Sequence, residues 1–169
     1  MTATATARSR RAEIDGETRL FSGQDAVEPA TTAPPGVVAP GDAVSVEDLV
    51  VEARTTYERV SARAAYQWAL YGRAVIVDIR PAAQRAAEGE VHPDLRPVVI
   101  ERNVLEWRLD PTSEARLDWV TPDSRVVVLC QEGYASSLAA ASLSRIGLRR
   151  ATDVIGGLRA WREAGLPVA

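Results

Sequence analysis

The run Val126-Val127-Val128-Leu129 constrains this chain more than any other stretch. It is continuously apolar and mostly β-branched, it follows the turn residues Pro122-Asp123, and after one further residue it gives way to the polar Gln131-Glu132-Gly133. A strand of that kind is buried on both faces rather than half exposed, so helices must cover the sheet above and below. Weaker versions of the signal recur at Ala74-Val75-Ile76-Val77, Val98-Val99-Ile100 and residues 151–155. Helical segments separate them, and such alternation predicts an α/β domain with a central, mostly parallel sheet and flanking helices.

The helical segments carry their own start and stop signals. Ser45 caps an acidic first turn, with Leu49, Val50 and Ala53 on one face. Ser61 caps Ala62 to Leu70, and Gly72 stops it. Pro81 opens a short helix through Arg85 and Glu88 before Gly89. Ser136 to Ile146 is the clearest helix, with Leu138, Ala139, Leu143 and Ile146 toward the sheet, and a last short helix carries Leu158, Ala160 and Trp161. Tyr57 to Val60 reads as an edge strand, and Leu117, Trp119 and Val120 as cover for a sheet edge.

At 169 residues the chain suits one ordinary domain. Residues 1–44 are rich in Ala, Thr, Pro and Gly and read as a disordered arm. Residues 45–56 form an auxiliary helical segment, and residues 57–169 the main domain. Lysine is absent, so all 20 basic residues are arginine, against 23 acidic ones. That balance, without a basic tract, argues against a nucleic-acid partner. Arg8, Arg10 and Arg11 precede no apolar run, so neither a membrane span nor secretion is expected. A single cysteine rules out an internal disulfide and a multi-cysteine metal site, and a reducing, cytoplasmic setting is the simplest fit. No cofactor is expected.

That cysteine, Cys130, stands where the strongest strand meets the glycine-bearing loop and then the clearest helix. Converging backbone N–H groups at such a junction favour an anionic sulfur, either thiolate or persulfide. Gly133 lets the loop turn tightly, as the turn residue of an anion cradle or of an ordinary turn. Ser136 and Ser137 are placed to cap the helix and to donate hydroxyls to a bound anion.

Three segments in order carry a family resemblance: Val75-Ile76-Val77-Asp78-Ile79-Arg80, the loop Cys130 to Ser136, and Gly156-Gly157-Leu158-Arg159-Ala160-Trp161 with Ala164-Gly165-Leu166-Pro167-Val168. The chain resembles a single-domain rhodanese-like sulfurtransferase from about Tyr57 to its end. The resemblance implies a three-layer rhodanese-like fold. It also implies a Cys130 persulfide that takes sulfane sulfur from thiosulfate or another persulfide, a partner protein's included, and passes it to a thiol, cyanide or similar nucleophile. On that reading Cys130 is catalytic, Gln131, Glu132, Gly133, Tyr134, Ala135 and Ser136 line the substrate, and Asp78, Arg80 and Ser137 give structural support.

Three departures qualify the resemblance. Thiosulfate-specialised relatives carry basic loop residues, whereas here Glu132 is acidic; facing the pocket, it would repel a dianionic donor and favour persulfides. The stretch Gly89-Glu90-Val91-His92-Pro93 is shifted from the family pattern, and His92 reads as incidental. Arg102 lies after the second strand, as an added anion contact or as half of a solvated salt bridge. A phosphatase would want arginine where Ser136 stands, six residues after Cys130. A non-catalytic rhodanese-like module that regulates or binds another protein is the remaining alternative.

Overall fold

The computed structural model describes residues 43–169, so the expected arm at 1–44 falls outside the described residues except for its last two. Four strands, β1 (Val75–Asp78), β2 (Val98–Val99), β3 (Val126–Leu129) and β4 (Thr152–Asp153), form one sheet in the order β2-β1-β3-β4. Every pairing is parallel, with Val75 opposite Val126 and Asp78 opposite Leu129 in the central pair. The expected edge strand at 57–60 shrinks to one parallel bridge between Val60 and Val154. Tyr57 and Arg59 instead turn their side chains inward onto Asp153.

The helices are α1 (Val46–Thr55), α2 (Ala62–Leu70), α3 (Ala82–Glu88), α4 (Leu105–Leu109), α5 (Ala135–Arg145) and α6 (Gly157–Glu163). Ser45 and Asp48 close a reciprocal capping box on α1, and the Ser61 hydroxyl accepts from Ala64 N–H at the start of α2. Single 3-10 turns occupy Pro93–Leu95 and Arg102–Val104.

The continuous valine runs are buried as their composition requires, and the strand's twofold alternation divides them between two cores. Val126, Val128 and Cys130 pack with Leu105, Leu109, Ala139 and Leu143 on one face. Val127 and Leu129 pack with Ala65, Leu158 and Trp161 on the other. Val126 to Leu129 are wholly buried, each contributing about 2 kcal/mol of apolar burial. Of the residues expected to turn α5 toward the sheet, Ala139, Leu143 and Ile146 do so. Leu138 instead borders the seam with α1, beside Leu49 and Ala53. Leu117 and Val120 pack against the sheet's first core, while Trp119 stays partly exposed.

Candidate functional site

β3 ends at Leu129, so Cys130 is the first residue delivered beyond the carboxyl edge of the sheet's central strand. Gly133 has φ 81°, a left-handed conformation in which a side chain is disfavoured. A Cβ there would lie 2.9 Å from Gly156 N and 3.1 Å from Val154 O, so the loop also needs glycine for space. The turn folds back over the sulfur: Gly133 N–H donates to Sγ at 3.2 Å and Ser136 N–H at 3.4 Å. Beneath the loop, Leu158 N–H donates to Cys130 O at 2.9 Å and Arg159 N–H to Gln131 O at 3.1 Å. Gly157 makes this approach possible, because a Cβ on it would collide with the Cys130 carbonyl.

Behind the sulfur lies a buried polar network. Cys130 donates to Ser136 Oγ at 3.2 Å, and Ser136 Oγ donates to Asp153 Oδ2 at 3.0 Å. Asp153 is fully buried on β4, where an unpaired carboxylate would cost several kcal/mol, on the order of 3–5. Arg59 meets it bidentately, Nε to Oδ1 at 2.7 Å and Nη2 to Oδ2 at 2.8 Å, and Tyr57 adds its hydroxyl at 2.9 Å. Burial, reinforced by the Asp153 charge, holds the Tyr57 phenol well above its ordinary range. The hydrogen bond to Asp153 outweighs burial and raises the affinity of Arg59 for its proton.

Ser136 and Ser137 do not cap α5. Tyr134 is the N-cap residue, with no side-chain cap bond. Both hydroxyls are drawn inward by stronger acceptors, Ser137 Oγ reaching Gly133 O at 2.7 Å and Asp153 Oδ2 at 3.2 Å. Arg54, from the last turn of α1, closes the loop from outside. Its Nε donates to Ser137 Oγ at 3.0 Å, its Nη2 donates to Gly133 O at 2.9 Å, and its guanidinium lies 5.4 Å from the Tyr134 ring centre.

This architecture has close parallels in known proteins. The sequence model for the rhodanese-like domain matches residues 61–164. The chain belongs to the rhodanese-like domain family. Two Zea mays proteins, named adenylyltransferase and sulfurtransferase MOCS3-2 and MOCS3-1, are each 37% identical to it, over 89 and 87 residues. Those stretches are 53% and 52% of this chain but only 17% and 18% of the maize proteins, so the chain spans a small part of these relatives. A solved structure from Rhodopseudomonas palustris, described as of unknown function and a possible tyrosine phosphatase, is 27% identical with a TM-score of 0.67, covering 81% of this chain and all of its own. The polysulfide-sulfur transferase homodimer of Wolinella succinogenes is 25% identical with a TM-score of 0.60, covering 73% of this chain and 85% of its own. The human single-domain sulfurtransferase TSTD1, 23% identical with a TM-score of 0.54, covers 63% of this chain and 96% of its own and shares the fold.

The other residues singled out in the sequence have definite places in this rhodanese-like domain. Asp78 and Arg80 form a buried ion pair, Nη2 to Oδ2 at 2.6 Å, and Arg80 Nη2 also donates to Gly89 O at 2.9 Å. The pair ties the β1–α3 turn to the end of α3, and its hydrogen bonds do not extend to Cys130. Arg102 is partly exposed and bonded to Glu106 Oε2 at 2.7 Å, the salt-bridge alternative, with no hydrogen bond to the loop. Glu132 is half exposed and paired with Arg159 Nη1 at 2.5 Å. Its charge therefore does not stand alone at the loop. Ala135 and Tyr134 are exposed, Gln131 is half-buried, and its Oε1 is a buried acceptor without a partner among the described residues. His92 caps the 3-10 turn at Pro93–Leu95, accepting from Asp94 N–H.

Arg54, Tyr57, Arg59 and Asp153 carry no sequence signal that marks them for this site. Beside them, a cavity of about 460 Å³ opens between α1 and the loop, lined by Val46, Glu47, Val50, Val51, Arg54 and Tyr134. Among the described residues no cluster of His, Cys, Asp or Glu is arranged to hold a metal ion, and no helix is long and apolar enough to cross a membrane.

Proposed function

We propose that the protein is a sulfurtransferase that carries sulfane sulfur as a persulfide on Cys130. The observation that carries this reading is the pair of backbone N–H groups, from Gly133 and Ser136, directed at Sγ beyond the end of β3. Such donors stabilise sulfur as an anion without a separate base. In the loading step Cys130 attacks the outer sulfur of a donor R–S–S⁻. The bond between the donor's two sulfurs breaks, Cys130–S–S⁻ forms, and the thiol proton leaves on R–SH. In the discharge step an acceptor thiol R′–SH takes the outer sulfur as R′–S–S⁻ and returns its proton to Cys130; cyanide accepts the sulfur as thiocyanate.

The electrostatics of the loop suit an anionic donor. Arg54, Arg59 and Arg159 all reach it, while Glu132 and Asp153 are paired with two of them. A donor that is thiosulfate and one that is a persulfide both meet this balance. Phosphoryl transfer suits it less. The loop has no arginine of its own, and Arg54 and Arg59 direct their donors at Gly133 O rather than leaving a free bidentate fork for phosphate.

The test is turnover with thiosulfate and with glutathione persulfide as donors and cyanide or a dithiol as acceptor. Sulfur transfer that disappears in Cys130→Ala is the expected result. Equal rates in the two proteins, or no transfer with any donor, would remove the proposal.

A further inference from the structure

The hydroxyl of Ser136, with its one proton, sits between an acceptor and a donor. Asp153 Oδ2 lies 3.0 Å away and accepts it, and Cys130 Sγ lies 3.2 Å away on the other side as a donor. A serine hydroxyl supplies a single O–H and accepts through its lone pairs. While its proton points at Asp153, the face presented to sulfur is a lone pair, which attracts S–H and repels S⁻. In the resting geometry the Ser136 hydroxyl thus accepts from the thiol, while the Gly133 and Ser136 N–H groups are directed at the same sulfur.

We infer that Ser136 is a two-position hydroxyl switch set by Asp153: it accepts from the Cys130 thiol at rest and rotates to donate to sulfur once that sulfur is an anion. This rests on the sulfur-carrier reading above and assigns Ser136 and Asp153 as positioning residues for it. The rotation leaves Asp153 well satisfied, because Oδ2 keeps Arg59 Nη2 at 2.8 Å, and Oδ1 keeps Arg59 Nε and the Tyr57 hydroxyl. Ser136 is thus the replaceable member of the set around Asp153. The consequence is a thiol hydrogen-bonded through its own proton at rest and a thiolate that gains a third hydrogen bond when that proton leaves. A lone cysteine is protected in this way from alkylation and oxidation between turnovers.

The charged and titratable groups around the sulfur come from every neighbouring element: Asp153 on β4, Arg59 and Tyr57 ahead of α2, Arg54 on α1, and the Glu132–Arg159 pair between the loop and α6. Removing the Asp153 charge acts on sulfur both through space and through Ser136, and a double-mutant cycle separates the two. The pH dependence of Cys130 alkylation by iodoacetamide is measured in the full chain for the native protein, Asp153→Asn, Ser136→Ala and the double variant.

Asp153→Asn is expected to lower the pH midpoint by about one unit, and in the Ser136→Ala background the same change is expected to shrink to less than half. An equal shift in both backgrounds would mean a through-space charge effect and would overturn the switch. Should loss of the Arg59 partner unfold Asp153→Asn, the infrared S–H stretch of Cys130 decides the matter in Ser136→Ala alone. Loss of the Ser136 acceptor moves that band to higher frequency, and an unmoved band overturns the proposal. Both readouts use the resting thiol, so a failure of sulfur loading would count against the carrier reading while leaving the switch separately judged.

Discussion

At the scale of single residues, the site is a sulfur atom held among competing hydrogen bonds. Cys130 was legible in the sequence because three local signals meet on it: the end of an apolar run, a glycine three residues later and a small-residue helix start. Its supporting polar residues were not. Arg59 and Tyr57 are 94 and 96 positions from Asp153, and Arg54 is 79 from Gly133, so no spacing rule connects them. Glu132 shows the same limit in reverse. Read alone it is an acidic group in an anion site, but Arg159, 27 residues on, pairs with it. Both side chains of that pair are about half exposed, and exposed pairs are worth about 0–1 kcal/mol. Glu132→Gln should therefore change the KM for thiosulfate by less than about fivefold. A larger fall in KM, seen in initial-rate kinetics, would restore the repulsive role for this carboxylate.

At the scale of elements, strand and helix signals were strongest where composition was least ambiguous. The limits of β3 and α2 coincide with Val126 to Leu129 and Ala62 to Leu70, since a continuous apolar run and a Ser cap with a Gly stop each leave one solution. The short helix α4 went unread because five residues carry little more than one helical turn, too few for a period to register. Leu105 and Leu109 are nonetheless wholly buried and four apart, on one face. The motif Gly156-Gly157 acts at this scale, joining β4 to α6 and letting α6 press against the Cys130–Gln131 backbone. Gly157 combines φ 60° with a contact that no Cβ fits. Gly157→Ala should destabilise the domain by about 2–4 kcal/mol, read as a fall in the denaturant midpoint. A loss below about 1 kcal/mol would show that the loop and α6 can separate without cost.

At the scale of the whole molecule, a parallel sheet covered on both faces brings the ends of β1, β3 and β4 to one edge, and the site is assembled there from α1, α5 and α6. The α/β class and the rhodanese-like resemblance were readable because three separate motifs occur in the right order. The contribution of α1 was not, since it lies outside the matched residues 61–164 and is joined to the site only by folding. The composition also makes stability at high pH unusually simple to interpret, because the chain has no lysine. Tyr57 has a raised pKa when folded, so folding favours its protonated form. Its contribution is complete below the unfolded value near pH 10 and is lost as pH rises beyond it toward the folded value. Thermal unfolding should therefore show a decline in stability above about pH 10 that is shallower in Tyr57→Phe. Parallel declines in the two proteins would place the alkaline sensitivity elsewhere.

The account as a whole depends on sulfur residing on Cys130. Intact-mass spectrometry after exposure to thiosulfate or glutathione persulfide measures this directly. The expected result is a gain of one sulfur atom that cyanide or a thiol removes and that Cys130→Ala never acquires. A protein whose mass stays unchanged with every donor, or a gain that survives in Cys130→Ala, would contradict it.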